Sequence, residues 1–360
     1  MPLDLQEHLR ALCTAPGPSG HEGPVRAVIH AAWTGRADEL HTDALGNLIA
    51  LKRGSGPQPR RTIMLCAHMD EIGLIVAEVR EGFIRTAPLG GMDYRALLAQ
   101  PVLVHGRRTL KGLFGAAPPH MVRSRDKYPT PADLWVDVGL PADEVAALVR
   151  VGDIITIDAP AVPLKGDHLA AKALDNRLAV AVLTLCLDEL TRREHAWDVV
   201  GVAAVQEEVG SYGALAAAYQ IAPDIAIAID GTWGAQKGVG DDEGFALGDG
   251  PTIARGPNFH PLLVKALHAA ADEMEIAVQI EAMPGSSYTD AWEIQVSREG
   301  IPTGLISVPM RNMHTPAEVV NLRDVTRAGR LLAAFIAGLA LDFLDSLAWP
   351  EARAAQERDA

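Results

Sequence analysis

The stretch Asp198-Val-Val-Gly-Val-Ala-Ala-Val-Gln-Glu-Glu, ending at Glu208, decides the fold. Its unbroken, valine-rich apolar run reads as a strand buried on both faces. Two acids in succession, Glu207 and Glu208, then end it. The same kind of break recurs along the chain. Leu65-Cys-Ala-His-Met-Asp carries His68 and Asp70, and Ala173-Leu-Asp-Asn-Arg carries Asp175. Ile227-Ala-Ile-Asp carries Asp230, and Arg311-Asn-Met-His-Thr-Pro carries His314. Around the deciding strand, helical and strand patterns alternate. Helices are expected over 175–192 and 261–273, near Asp290 and over 322–344, with strands over 199–205, 225–229, 277–281 and 304–308. Such alternation predicts an α/β fold, a mostly parallel sheet covered by helices on both faces. Upstream, helices over 5–15 and 24–33 flank the turn-forming Pro16-Gly-Pro-Ser-Gly-His-Glu-Gly-Pro, and strands follow over 47–52 and 62–67.

From about Ile72 to Val162 the texture changes. Short β-rich runs over 74–79, 83–86, 102–104, 134–138 and 154–157 alternate with Gly and Pro turns, the pattern of an all-β insertion. The expected organisation is one discontinuous catalytic domain, residues 1–70 plus 163–360, interrupted by a small β-barrel over 71–162. Within it, residues 118–131 are Pro-rich and polar with no strand pattern. A loop of that length inside a compact domain is usually functional or mobile, and by itself it reads as an ordinary surface loop. The last residues, from Pro350, read as a polar tail.

Composition narrows the function. The 360 residues are 48% hydrophobic and 22% charged, enough for a large core, and aromatics are only 5%. A formal net charge of −14 argues against a nucleic-acid surface, which needs clustered Lys and Arg. Cys13, Cys66 and Cys186 are scattered and form no Cys-x-x-Cys pair, as expected of core residues in a reducing compartment. The N-terminus lacks a signal-peptide pattern. The richest apolar run, 331–347, is broken by Asp342 and Asp345, so no membrane span is expected. The expectation is a soluble, cytoplasmic protein.

In a parallel sheet, ligands bind beyond the carboxyl ends of the strands. Taken singly, Asp175 is only a helix N-cap and Glu207 with Glu208 a solvated strand end. Taken together, these groups on loops leaving one sheet edge describe a dinuclear metal site. Imidazoles mixed with carboxylates suit zinc or cobalt, and also manganese, better than calcium or magnesium. Two divalent ions roughly 3.5–4 Å apart need a bridging carboxylate between them. One ion takes His68 and Asp230, the other Glu208 and His314, and Asp175 bridges. Glu207 is then free as general base. Asp70 accepts the other imidazole N–H of His68 and fixes its tautomer.

These residues resemble a known family. His68-Met-Asp-Glu-Ile-Gly, Lys172-Ala-Leu-Asp-Asn-Arg, Gln206-Glu-Glu-Val-Gly and Pro309-Met-Arg-Asn-Met-His-Thr-Pro-Ala-Glu look like the tetrahedral aminopeptidases. These are also called deblocking or glutamyl aminopeptidases, and some members are labelled cellulases or endoglucanases. The resemblance extends to Pro16-Gly-Pro-Ser-Gly-His-Glu, Gly112-Leu-Phe-Gly, Pro118-Pro-His and Asp133-Leu-Trp-Val-Asp-Val-Gly. It implies a co-catalytic metal pair, with His68, Asp175, Glu208, Asp230 and His314 at the ligand positions. Glu207 matches the general base, and Asp70 the aspartate beside the first histidine. It implies further that the insertion is a dimerisation domain, which would set the loop over 118–131 near a subunit interface and bring His120 toward an active site, its own or a neighbour's. Members assemble from dimers into hollow twelve-subunit tetrahedra that admit unfolded peptides.

The sequence departs from that pattern in two places. Ser286-Ser-Tyr-Thr-Asp-Ala replaces a glycine-rich stretch, and Tyr288 is expected to narrow the substrate pocket. Asn312 stands where an aromatic residue is frequent. The expected activity is removal of N-terminal residues from short peptides. The alternatives are a related deacylase or carboxypeptidase-like hydrolase, a glycosidase, and a non-catalytic peptide-binding assembly. A glycosidase needs only two carboxylates and leaves the histidines unexplained. A scaffold has no use for Glu207.

Overall fold

A computed structural model describes residues 3–117, 130, 133–240 and 243–349. The loop expected over 118–131, with His120, lies outside the described residues apart from Thr130, as does the tail from Pro350. Among the described residues the first strands are β1 (Glu39–Thr42), β2 (Leu48–Lys52) and β3 (Thr62–His68). Then come β4 (Gly73–Arg80), β5 (Phe83–Leu89), β6 (Pro101–His105), β7 (Thr109–Ala116), β8 (Leu134–Asp137) and β9 (Ile154–Ile157). Next are β10 (Val162–Leu164), β11 (His168–Ala171), β12 (Asp198–Ala204) and β13 (Ile225–Trp233). The last are β14 (Thr252–Arg255), β15 (Gln279–Ala282), β16 (Thr303–Arg311) and β17 (Glu318–Asn321).

Strands β4 to β9 close into an antiparallel barrel in the order β4-β5-β8-β7-β6-β9. Its interior is a separate apolar cluster that includes Leu74, Val76, Val102, Val104, Phe114 and Val136. The other strands form one mixed sheet in the order β1-β2-β12-β3-β13-β16-β17-β11-β10, with β14 and β15 branching from β16. Its centre, β12-β3-β13-β16, is parallel. The flanks are antiparallel.

The helices are α1 (Leu5–Thr14), α2 (Gly23–Trp33), α3 (Ala142–Leu148), α4 (Leu174–Leu190), α5 (Tyr212–Ile221) and α6 (Pro261–Glu273). After them come α7 (Asp290–Ile294), α8 (Leu322–Ala337) and α9 (Phe343–Leu347). Asp4 caps α1, its carboxylate accepting from Glu7 N, and Asn321 caps α8 in the same way through Arg323 N. The single helix expected over 322–344 is two helices. The first stops at Gly338, a residue with low helix propensity. Helix α4 is buried almost throughout, which explains why its sequence lacks a polar face. Among the described residues no helix is long and apolar enough to cross a membrane.

The register at the sheet centre makes the crevice. Strands β3 and β13 pair only from Ile63↔Ile225 to Cys66↔Ala228. Beyond that pair they separate, while β13 continues along β16 as far as Trp233. His68 and Asp230 therefore face each other across a gap that opens inside the sheet.

Candidate active site

Each site residue owes its place to that gap or to its rim. His68 closes β3 and is 1% exposed. Asp230 lies within β13 rather than past its end, because the pairing with β16 carries the strand onward. Glu207 and Glu208 follow β12, after a Gln206 with left-handed φ. Asp175 falls near the start of α4, but its own dihedrals, φ −77 and ψ 107, are not helical. At that bend its side chain leaves the helix and meets both histidines. Oδ1 lies 3.4 Å from His68 Nε2, and Oδ2 lies 3.3 Å from His314 Nε2. His68 Nε2 is also 3.7 Å from Glu207 Oε2 and 3.9 Å from Asp230 Oδ1. His314 Nε2 is 3.7 Å from Glu208 Oε2.

The side chains therefore fall into two triads, His68 with Glu207 and Asp230, and Asp175 with Glu208 and His314. Within each, the potential ligand atoms lie within 4.8 Å of one another. Glu207, left free by the sequence reading, is thus a member of the first triad, and Asp175, read there as the bridge, groups with the second.

The electrostatics describe a site built for cations. Burial first, and then the neighbouring Asp175, push the Glu208 carboxyl well above its usual range. Asp230 is raised by burial against the pull of His68, with Asp175 and Glu207 adding to the rise. Glu207 is pushed up to about 7, chiefly by burial. His68 is fully buried, which alone would lower it, yet Glu207, Asp175 and Asp70 together lift it well above the ordinary histidine range. Glu208 Oε1 is buried and has no hydrogen-bond partner among the described residues. Crowded acids and an orphaned carboxylate oxygen are the donor set that divalent ions satisfy.

Asp70 stands beside His68, whose buried Nδ1 has no hydrogen-bond partner among the described residues. Its Oδ1 lies 3.4 Å from His68 Nδ1, longer than an ordinary hydrogen bond. The same carboxylate accepts from the backbone N–H of Glu207 at 3.1 Å and of Glu208 at 3.2 Å, and from Ser19 Oγ at 2.7 Å. It thus ties the β3 exit to the β12 exit.

Sequence reasoning missed five contributors, Glu318, Glu71, Lys172, Arg177 and Asp290. Glu318, 1% exposed, accepts from Asp175 N at 3.0 Å and from His314 N at 2.8 Å, so one carboxylate clamps residues from two loops. The clamp follows from register, since Glu318 lies opposite Ala171, the last residue of β11, four residues before Asp175. Glu71 is buried between Lys172 Nζ at 2.6 Å and Arg177 Nη2 at 3.0 Å. Burial opposes ionisation there, but Arg177 and Lys172 hold the carboxyl below its usual range. Arg177 also donates to the carbonyls of Leu12 and Ala15, fastening the end of α1 beneath the site. Asp290 is buried under the site beside Cys66 Sγ at 3.4 Å and is raised to about 6, mainly by burial. Glu71, Lys172, Arg177 and Glu318 all lay within the quoted motifs, but each acts through partners that local pattern does not reveal.

The two residues that depart from the family pattern, Tyr288 and Asn312, are both exposed. Tyr288 is 89% exposed. Asn312 has φ +58, a left-handed backbone that asparagine tolerates better than an aromatic residue would.

The Glu318 clamp can be tested directly. Glu318→Ala leaves two backbone donors without partners, at about 1–3 kcal/mol each where buried. Thermal unfolding is expected to show a clear drop in midpoint. Glu318→Gln keeps one carbonyl acceptor and should fall between alanine and wild type. Equal midpoints for all three would remove the clamp.

A parallel-centred sheet with acids and histidines converging on its open end defines a hydrolase of the peptidase class. Residues 46–331 match the M42 glutamyl aminopeptidase family, and the chain belongs to that family. It is 34% identical over 341 residues to the lysyl aminopeptidase of Pyrococcus furiosus, covering 92% of this chain and 96% of that one. The aminopeptidase APDkam598 of the archaeon Desulfurococcus kamchatkensis superposes with a TM-score of 0.89 at 37% identity, covering 96% and 98% of the two chains. The TET1 peptidase of Pyrococcus horikoshii, described as assembling into a tetrahedron or a large octahedral shell, does so with 0.82 at 31%, covering 93% and 100%. The chain is thus an aminopeptidase of a metallopeptidase family, and its two triads are the candidate ligands for divalent metals.

Proposed function

We propose that this aminopeptidase works with two divalent ions per chain and removes N-terminal residues from short peptides. The observation that carries the reading is the Asp175 carboxylate, whose two oxygens each face a different histidine. His68 and Asp230 would hold one ion, Glu208 and His314 the other, with Asp175 shared between them. Zinc or cobalt suits the mixed imidazole and carboxylate set, and manganese is compatible with it. When bound, such ions polarise the scissile carbonyl and lower the pKa of water.

The chain's own residues supply the rest. Glu207 takes a proton from the attacking water and returns it to the leaving amine. Ser211 Oγ lies 3.4 Å from its Oε1, and Asp70 holds its backbone, so the carboxylate is aimed from two sides. A free, positively charged α-amine would be held near this acidic site.

The reading includes an assembly. The barrel, taken as a domain over 71–162, would pair two chains, with the catalytic domain formed by 1–70 and 163–360. Dimers built into a tetrahedral dodecamer would follow the assembly described for the Pyrococcus horikoshii relative. Three buried, unpaired cysteines suit a cytoplasmic setting.

The test is to strip the protein with chelator and reload it separately with zinc, cobalt and manganese. Metal content is measured beside hydrolysis of aminoacyl amides and of short peptides with free or acetylated amino termini. Two ions per chain and cleavage confined to free amino termini are expected. Release of C-terminal residues, or deacylation of blocked ones, would favour the carboxypeptidase-like or deacylase alternative. Two ions without turnover would leave a peptide-binding assembly.

A further inference from the structure

Among the described residues, the barrel reaches the site at the turn Gly90-Gly91 that follows β5. Gly90 has φ +79, a left-handed conformation that favours glycine. A Cβ added there would lie 3.1 Å from both Cβ and Oε2 of Glu208, and 2.9 Å from Ile72 Cγ2. Gly91 has no left-handed φ, so its requirement is one of space. A Cβ on it would lie 2.9 Å from Nδ1 of His314 and 3.2 Å from Cε1 of the same ring. The Gly91 backbone also hydrogen-bonds that ring.

The two histidines are held by different means. His68 ends a central strand and its side chain is 1% exposed, so burial alone restricts it. The His314 side chain is 35% exposed and projects from a loop in which Asn312 and His314 both have positive φ. Glu318 holds the His314 backbone N–H at 2.8 Å, which leaves the ring to be oriented by what it touches. The face of the ring that carries Nδ1 rests on Gly91, and the opposite nitrogen, Nε2, faces Asp175 and Glu208.

We propose that the Gly90-Gly91 turn of the barrel is a positioning element of the second metal triad, setting the His314 ring and the Glu208 carboxylate from outside the catalytic sheet. The inference rests on the two-ion reading. Under it, the barrel is part of the active centre as well as an assembly module. The turn touches the second triad, so disturbing it acts on one ion and spares the other.

The experiment titrates metal-free protein with Co2+, following the ion's visible absorption and the number of equivalents bound. Wild type is titrated first. Fewer than two equivalents on wild type would overturn the two-ion reading itself, before any variant is read. Gly91→Ala introduces the Cβ contact without left-handed strain. It is expected to keep one tight equivalent and to bind the second at least about tenfold more weakly, the scale for loss of a group that orients a ligand. Gly139→Ala is the control. It lies in the barrel with φ +68, yet its Cβ would meet nothing within 4 Å, so it carries strain without contact. It should bind both ions normally.

A double-mutant cycle with His314→Ala then asks whether Gly91 acts through that ring. If it does, Gly91→Ala adds no further loss of affinity once the ring is gone. Unchanged affinity for both ions in Gly91→Ala, equal weakening of both, or full additivity with His314→Ala would each overturn the proposal.

Discussion

Asp175→Asn is expected to abolish hydrolysis and to lower the metal content of the purified protein. The aspartate places one oxygen toward His68 and the other toward His314. Asparagine keeps a single acceptor and turns an NH2 toward the other half of the site. It also removes the negative charge that would sit between two dications. The backbone should survive the change. Asp175 N is held by Glu318, and the neighbouring Asn176 Nδ2 donates to Ile229 O at 2.9 Å. Loss of activity with an intact circular-dichroism spectrum and at most one tight ion is the expected result. Two tightly held ions and normal turnover would remove the bridge.

Glu207→Gln is expected to retain both ions and to lose turnover by at least roughly 10²-fold, the usual scale for general acid–base catalysis. The amide is nearly the same size, so substrate binding should change little and the loss should fall on kcat. Glu208→Gln is expected to do the reverse, weakening one ion, because Glu208 faces His314 in the second triad. The two glutamates are adjacent, and both stand near a histidine. Metal content measured beside kcat separates them. If the phenotypes came out exchanged, the roles of Glu207 and Glu208 would be swapped.

What the sequence made legible was what local pattern encodes. The β12 run, the breaks at His68, Glu207 and His314, and the β-rich interval were all readable, because buried strands are apolar and polar exits interrupt them, whereas at Asp230 the strand runs on to Trp233. The parallel centre was legible for the same reason. Other features have no such signal. Strands β1, β10, β11 and β17 are three or four residues long, too short for a period to show. Helix α5 is rich in alanine, with little amphipathic contrast between Tyr212 and Ile221. Glu318 and Ser19 matter through hydrogen bonds to residues far away in the chain. Gly91 matters through an empty volume, which composition cannot report.

The interrupted layout has a consequence for how the chain is made. The barrel strands pair only with one another, all within residues 73–157. Strand β3 pairs with β12 and β13, which emerge from the ribosome only after the whole barrel. Local pairings close early and distant ones late. A nascent chain can therefore carry a finished barrel while Ile63-Met-Leu-Cys-Ala waits as an apolar strand with both edges open. The vulnerable stage of biogenesis is the half-built sheet, and a chaperone that shields the segment before the insertion would protect it best.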